Sequence, residues 1–338
     1  MDFSSDTAAP AHPSIIEAIA RANQGMAASY GNDDIMARLR VRLRGVLETD
    51  DFDFWIVGSG TASNALALSV LCPPTGSILC HEEAHIERDE RGAPEFFTGG
   101  GKLSLLPGTD AKIDADALRA ALNAIDESFV HETPARVLSL TNLTESGCVY
   151  YPSEIALYAD LAKAKGLAVH LDGARLANAL VTCGATPSEM SWKAGVDVLS
   201  LGLTKAGAIG CELIILFGPA RTKFAELKVR AKRAGHMPPK MRFMAAQAEA
   251  MLTDALWLKL AGQANSAAGA LAEGLVRAGG ELVHPVEGNE VFVRLPDGAD
   301  ETLRAKQVKF YPWPDGSHRF VCSWTTETAD IEALVNAL

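Results

Sequence analysis

The sequence lacks any long hydrophobic segment. None of its apolar runs approaches the roughly 20 residues that a helix needs to cross a bilayer. The first seven residues, Met-Asp-Phe-Ser-Ser-Asp-Thr, have neither the basic start nor the apolar core of a secretory signal peptide. We therefore expect a cytoplasmic protein that does not enter a membrane.

The sequence also has fewer basic than acidic residues and no closely spaced cysteines. The 31 lysines and arginines stand against 42 acidic residues, which gives a formal net charge of −11. A protein that binds the phosphate backbone needs a basic face, so we expect no nucleic-acid partner. The six cysteines show no Cys-x-x-Cys spacing. This pattern favours free thiols in a reducing compartment and argues against a metal site.

What the sequence does contain is an alternation of short apolar runs with helical periods. At 338 residues it is long enough for one large domain and a smaller one. The alternation implies a mainly parallel sheet covered by helices on both faces. The predicted strands are 54–57, 77–80, 136–140, 167–171 and 196–201, and the predicted helices are 13–23, 33–47, 63–71, 153–165 and 174–183.

The C-terminal part of the chain has a different pattern. Residues 243–278 are alanine-rich and helical, short strands follow at 291–295, 307–311 and 320–324, and a last helix is predicted at 329–338. We therefore predict a large α/β domain at residues 1–245, with an N-terminal arm at 1–12, and a small α+β domain at residues 246–338.

Two predicted strands end in charged side chains. One strand ends at Asp172, which Arg175 follows, and the next strand leads to Lys205 among small and apolar residues. Open α/β sheets bind ligands at the carboxyl ends of their strands. An apolar setting helps to lower the pKa of a lysine that forms a Schiff base with pyridoxal phosphate (PLP), and an aspartate can keep the pyridine nitrogen protonated. Either residue alone is more often an ordinary strand-end charge, but the two in this order favour a cofactor site.

A loop rich in small residues supports this interpretation. Residues 57–64, Val-Gly-Ser-Gly-Thr-Ala-Ser-Asn, follow a strand and open a helix, where free backbone N–H groups suit a phosphate. The loop lacks the third glycine of the dinucleotide fingerprint and the Gly-Lys-Ser/Thr of nucleoside-triphosphate loops.

Several short motifs follow one another along the chain: Ser5-Asp6-Thr7, Tyr30-Gly31, Ser59-Gly60-Thr61, His85-Ile86 with Glu90, His170-Leu-Asp172-Gly-Ala-Arg175, Thr204-Lys205 and Arg319. In these motifs and in their order the chain resembles the threonine aldolases, over residues 3 to 327, nearly its whole length. Three further stretches, at residues 92–97, 239–242 and 322–324, are typical of the bacterial low-specificity L-threonine aldolase and phenylserine aldolase branch.

The resemblance implies the aspartate-aminotransferase-like fold, PLP fold type I, with a mainly parallel seven-stranded sheet in the large domain. It implies a homo-oligomer, a dimer of dimers whose active sites are shared between subunits. The reaction implied is cleavage of L-threonine, L-allo-threonine or phenylserine to glycine and an aldehyde. The open alternatives are a β-eliminating lyase or an aminotransferase on the same fold, and a binding protein that has lost the reaction.

The resemblance also implies roles for individual residues. Lys205 would be the Schiff-base lysine, Asp172 the partner of the pyridine nitrogen, and His85 the group stacked on the ring. The phosphate would bind at Ser59, Gly60 and Thr61, and the substrate carboxylate at Ser5, Arg175 and Arg319. Tyr30, Lys240 and Arg242 would reach the cofactor of a neighbouring subunit.

The sequence departs from the family at the position of the β-hydroxyl. Many threonine aldolases carry a histidine where Leu143 stands here. The base that takes the hydroxyl proton is therefore open. His85, or a water that it holds, is the first candidate, and Asp89 or Glu90 is the second.

Overall fold

The computed structural model describes residues 1–126 and 128–338. Its large sheet has the strand order β1-β7-β6-β5-β4-β2-β3, in which β7 alone runs antiparallel to both neighbours. This confirms the mainly parallel seven-stranded sheet. The strands are β1 (Phe52–Val57), β2 (Ser77–His81), β3 (Lys102–Leu106), β4 (Ala135–Thr141), β5 (Ala168–Gly173), β6 (Val198–Gly202) and β7 (Glu212–Phe217).

Helices cover the sheet because its central strands are apolar on both faces. Every residue of β6 and β7 is buried, as expected for strands that lie between two layers of helices. The helices of this part of the chain are α1 (Pro13–Ala22), α2 (Asp34–Leu47), α3 (Gly60–Leu71), α4 (His85–Arg88), α5 (Ala93–Thr98), α6 (Ala115–Asn123), α7 (Pro152–Lys163), α8 (Leu176–Cys183), α9 (Phe224–Arg233) and α10 (Arg242–Leu252).

The C-terminal part forms a second, antiparallel sheet. Its strands are β8 (Glu281–Leu282), β9 (Glu290–Arg294), β10 (Tyr311–Pro312) and β11 (His318–Val321), in the order β10-β11-β9-β8. Three helices, α11 (Leu256–Arg277), α12 (Ala299–Ala305) and α13 (Thr328–Val335), complete it. The strand predicted at 307–311 is shorter and later than expected, because Gln307 has a left-handed φ of 60° after α12.

The N-terminal arm packs against this small sheet. Phe3 is buried in the same apolar cluster as Leu271 and Phe320. Its backbone N–H donates to the carbonyl of Lys309, and its carbonyl accepts from the N–H of Val321, both at 2.8 Å. The arm thus brings residues 1–12 to the junction between the two sheets.

Two neighbouring strands place the predicted site residues side by side. In the parallel pair β5–β6, Asp172 is opposite Ser200, and Lys205 lies three residues beyond the end of β6. The strands approach so closely here that a Cβ on Gly202 would lie 2.5 Å from the carbonyl oxygen of Ala174. In the part of the chain that the structure describes, no helix is both long and apolar enough to cross a membrane.

Candidate active site

A cavity of ≈ 230 Å³ opens at the carboxyl ends of β4, β5 and β6. Strand topology explains its contents, since the loops that follow neighbouring parallel strands meet at one edge of the sheet. Seven of the predicted site residues line it: Ser59, Gly60, Thr61, His85, Asp172, Arg175 and Lys205.

Asp172 is held in one orientation at this edge. Its side chain is buried, with Oδ1 accepting from the backbone N–H of Ala174 at 2.9 Å and Oδ2 accepting from the side-chain amide of Asn64 at 2.6 Å. His170, two residues earlier on β5, lies between the hydroxyls of Ser139 and Ser200. Burial lowers the pKa of His170 to about 4, so this ring stays neutral beside Asp172.

His85 is oriented by a buried carboxyl group. Its Nδ1 lies 2.8 Å from Oε1 of Glu90, which also accepts from Asn64 at 2.9 Å. Burial by itself lowers the pKa of His85, but the hydrogen bond to Glu90 and the charge of Asp172 raise it above its ordinary value. The contact fixes the plane of the imidazole, because the carboxylate binds one of the two ring nitrogens.

Two further carboxyl groups line the cavity, and both are buried. Burial raises the pKa of Glu145 to about 7, although its Oε1 accepts the backbone N–H of His85 at 2.7 Å. Burial also raises the pKa of Glu212 to about 7, although its Oε2 accepts the N–H of Leu203 at 2.9 Å. Oε2 of Glu145 has no hydrogen-bond partner among the described residues. Glu145 therefore has one oxygen free to exchange a proton near neutral pH.

The other end of the cavity is the start of a buried helix. Helix α3 begins at Gly60, and the Ser59 hydroxyl accepts from the N–H of Ala62 as its N-cap. A Cβ built on Gly58 or Gly60 would meet nothing within 4 Å, so the backbone N–H groups are accessible to a phosphate. With Lys205 and Asp172 at the same cavity, the residues present fit PLP.

Arginine residues bind acidic partners next to the cavity. Arg175 donates to Asp6 from Nε at 2.7 Å and from Nη2 at 3.2 Å, and its Nη1 lies 3.3 Å from Glu290. Arg319 Nη1 lies 3.7 Å from the other oxygen of Glu290. Arg175 is the N-cap of α8, a position that the helix dipole makes unfavourable for a cation, and these two carboxylates compensate for it.

The remaining predicted residues lie outside the set that lines the cavity. Ser5 caps a short 3-10 helix, where its hydroxyl accepts from the N–H of Thr7 at 3.2 Å, and Thr7 rather than Ser5 lines the cavity. Tyr30, Lys240 and Arg242 are at the surface of the subunit. Tyr30 donates its N–H to Pro239, and Arg242 Nη1 donates to the carbonyl of Gly25 at 3.1 Å.

Sequence reasoning missed four residues of the site: Thr7, Asn64, Glu145 and Glu212. Thr7 and Asn64 stand inside motifs that were singled out, so their positions carried a signal. Glu145 follows Leu143 by two residues, in the loop where the family's histidine is missing. Glu212 had no signal, because it lies at the start of a strand that the sequence pattern did not predict.

The comparisons with known proteins agree with this geometry. The family model described as beta-eliminating lyase matches residues 2–297. The chain is 40% identical to a low specificity L-threonine aldolase of Pseudomonas aeruginosa over 334 residues, which is 98% of this chain and 95% of the relative.

Solved structures show the same relationship. A threonine aldolase of Leishmania major is similar with a TM-score of 0.92 and 28% identity, covering 99% of this chain and 97% of that one. A serine palmitoyltransferase of Sphingomonas wittichii, at 13% identity and a TM-score of 0.74, covers 100% of this chain and 86% of that one and shares the fold. The predicted fold and family are confirmed. The chain belongs to the beta-eliminating lyase family and, within it, to the threonine aldolases, which are PLP-dependent lyases.

Proposed function

We propose that this protein cleaves the Cα–Cβ bond of β-hydroxy-α-amino acids of the L-threonine, L-allo-threonine and phenylserine type, with PLP as cofactor, and releases glycine and an aldehyde. The observation that carries the proposal is the cavity that joins Lys205, Asp172 and His85 to the start of α3. Low specificity L-threonine aldolases are among the relatives that match almost the whole chain.

The residues that line the cavity have different roles in the proposed reaction. Lys205 would hold the cofactor covalently, and Asp172 would keep a proton on its pyridine nitrogen. His85 would contact the cofactor ring. Ser59, Gly60 and Thr61 bind the phosphate, aided by the dipole of α3. PLP, when bound, supplies a ring that takes up the electron pair of the broken bond.

Carboxylate binding selects which bond breaks. Arg175, Arg319 and Ser5 would hold the substrate carboxylate and so orient the Cα–Cβ bond for cleavage. A guanidinium fork matches the two oxygens of a carboxylate. Two groups that line the cavity are suited to take the β-hydroxyl proton. They are the imidazole of His85 and the free oxygen of Glu145. Glu90 instead supports His85 through Nδ1.

The proposed assembly is a dimer of dimers in the cytoplasm, with each site completed by a neighbouring subunit. Tyr30, Lys240 and Arg242 support this part of the proposal, because the first two are exposed, Arg242 is half-buried, and none of them lines the cavity of their own chain. The basic groups of Lys240 and Arg242 suit a neighbour's phosphate.

A substrate panel tests the reaction. Purified protein should convert L-threonine, L-allo-threonine and L-phenylserine to equal amounts of glycine and acetaldehyde or benzaldehyde, while the cofactor stays in its aldehyde form. L-2-aminobutyrate, which lacks the hydroxyl, should bind without turnover. Formation of 2-oxobutyrate from threonine would indicate elimination, and accumulation of pyridoxamine phosphate would indicate transamination.

The assignment of Lys205 has its own test. Borohydride reduction followed by peptide mapping should place the label on Lys205. The variant Lys205→Ala should lose both the label and the absorbance band of the covalently bound cofactor. Label on another lysine would contradict the assignment.

A further inference from the structure

Glu290 is a buried carboxylate that interacts with two guanidinium groups through charge and accepts no hydrogen bond from them. It begins β9, its side chain is 0% exposed, and neither of its carboxylate oxygens has a hydrogen-bond partner among the described residues. Its nearest charges are Nη1 of Arg175 at 3.3 Å and Nη1 of Arg319 at 3.7 Å. Buried carboxylates normally accept several hydrogen bonds, because burial of an unpaired charge is costly.

Asp6 offers a contrast within the same cluster. It accepts two hydrogen bonds from Arg175 and a third from the side-chain amide of Asn289 at 3.1 Å. Burial by itself raises the pKa of Asp6, but the charges of Arg175 and Lys205, together with the hydrogen bonds from Arg175 and Asn289, leave the pKa below its ordinary value. The bidentate pair between Asp6 and Arg175 is therefore a fixed part of the fold.

Arg319, unlike Arg175, has no carboxylate among the described residues that binds it through two hydrogen bonds. Its guanidinium lies over the rings of Tyr311 and Trp313, 5.4 and 5.1 Å from their centroids. Its Nε is buried and has no hydrogen-bond partner among the described residues. Its fork is thus oriented by aromatic stacking and lacks the bidentate carboxylate that this geometry suits.

The guanidinium groups of the cluster already have acidic partners without a substrate. Asp6 pairs with Arg175, and Glu290 lies between Arg175 and Arg319. A substrate carboxylate enters as a third anion and has to compete with one of the two already present. Glu290 is the weaker competitor, because it makes no hydrogen bond that would be lost.

We propose that Glu290 sets the affinity of the site for its amino-acid substrate by occupying the guanidinium groups of Arg175 and Arg319, from which the substrate carboxylate displaces it. This inference rests on the proposed function, in which these arginines bind the substrate carboxylate. Glu290 therefore acts on substrate affinity, and it takes no part in breaking the bond.

Removal of its charge tests the proposal. In Glu290→Gln the Kd of glycine, measured from the change in cofactor absorbance, should fall roughly tenfold, the effect of one charge-assisted hydrogen bond gained. KM for L-threonine should fall with it, while kcat changes by less than about twofold, because displacement precedes the chemical step. An unchanged or higher Kd would overturn the proposal.

Two further variants complete the experiment. Glu281→Gln removes an exposed carboxylate from β8 of the same small sheet and should leave Kd and KM unchanged. Glu290→Asp withdraws the carboxylate by one methylene, and the Kd of glycine should fall by roughly threefold. If Glu290→Gln loses its native circular dichroism spectrum, the test uses Glu290→Asp alone. An unchanged Kd of glycine in Glu290→Asp then contradicts the proposal.

The outcome is separable from that of the proposed function. Wild-type protein without a cofactor band, or without cleavage of threonine, would refute the proposed function itself. Wild-type protein that binds glycine and cleaves threonine, combined with Glu290 variants of unchanged Kd, would refute only the role of Glu290.

Discussion

The backbone N–H of His85 donates a 2.7 Å hydrogen bond to Oε1 of Glu145, and both residues line the same cavity. This contact anchors Glu145 through one oxygen and leaves the other without a hydrogen-bond partner among the described residues. The position is that of a general base, since it combines a fixed carboxyl group with a pKa of about 7.

Glu145→Gln should therefore impair cleavage of threonine. We expect kcat to fall about 10²-fold, the usual contribution of a general base, because the amide still accepts the His85 N–H but cannot take a proton. The ionised carboxylate is the active form, so kcat/KM of the wild type should rise with pH through about 7. The measurement is the pH profile of threonine cleavage in both proteins, and the rise should vanish in the variant.

Exchange of the α-proton of glycine in deuterium oxide is the control for this variant. It breaks no bond to a hydroxylated carbon, so it should continue in Glu145→Gln. A variant that keeps the rise near pH 7 in threonine cleavage would contradict the assignment of this rise to Glu145.

A second buried carboxyl group should make stability depend on pH. Burial raises the pKa of Glu212 from 4.5 to about 7 in the folded protein. The folded state therefore binds this proton more tightly than the unfolded state. The stabilisation that comes from binding this proton is fully present below pH 4.5, and it is lost as the pH rises through about 7.

Glu212→Gln imitates the protonated form and should remove this dependence. Above pH 7 the cofactor-free variant should be more stable than the wild type by on the order of 3 kcal/mol. At pH 4.5 the two proteins should be alike. Urea unfolding between pH 4.5 and 8 measures the difference, with the exposed Glu281→Gln as the control. Parallel curves for Glu212→Gln and the wild type would contradict the expectation.

The sequence was sufficient to predict the carboxyl ends of two strands, because buried parallel strands are short apolar runs that end where polar residues begin. The residues 168–171 before Asp172 and 198–203 before Lys205 have that pattern. Strand β7 was not predicted. Its residues are as buried as those of β6, and burial alone does not reveal that β7 runs antiparallel to both of its neighbours.

The contacts of the arginine cluster could not be predicted either. Arg175 follows β5 of the large sheet, whereas Glu290 lies on β9 and Arg319 on β11 of the small sheet. Only the packing of the two sheets brings the three residues together. The position of Arg175 at a helix start is unfavourable for a cation and indicates that it has acidic partners, but it does not indicate which residues they are.

Gly202→Ala should disrupt the site through the backbone. Its Cβ would lie 2.5 Å from the carbonyl oxygen and 2.6 Å from the Cα of Ala174, which are atoms that cannot rotate away. We expect a loss of about 1–3 kcal/mol in the free energy of unfolding. We also expect a weaker absorbance band of bound cofactor, because Lys205 follows three residues later.

Gly269→Ala is the matched control for this change. Gly269 lies inside α11, and a Cβ there would meet nothing within 4 Å. Alanine is the better helix former by roughly 0.5–1 kcal/mol, so this variant should be as stable as the wild type or more stable and should keep its cofactor band. If both variants have the same stability and the same cofactor band, the close contact of Gly202 with Ala174 does not limit either property.

A mixture of two inactive variants tests the sharing of active sites between subunits. Arg242 lies at the surface, donates to the carbonyl of Gly25 and does not line the cavity that contains Lys205. If Arg242 acts on the neighbour's cofactor, a hybrid of Lys205→Ala with Arg242→Ala has one site in which both residues are native. Subunits that are dissociated, mixed and reassembled should then recover about a quarter of the wild-type activity, as expected for random pairing into two-fold dimers. Each variant treated alone should recover none. If Arg242 acts within its own subunit, every site of every hybrid lacks one of the two residues, and mixing should restore no activity.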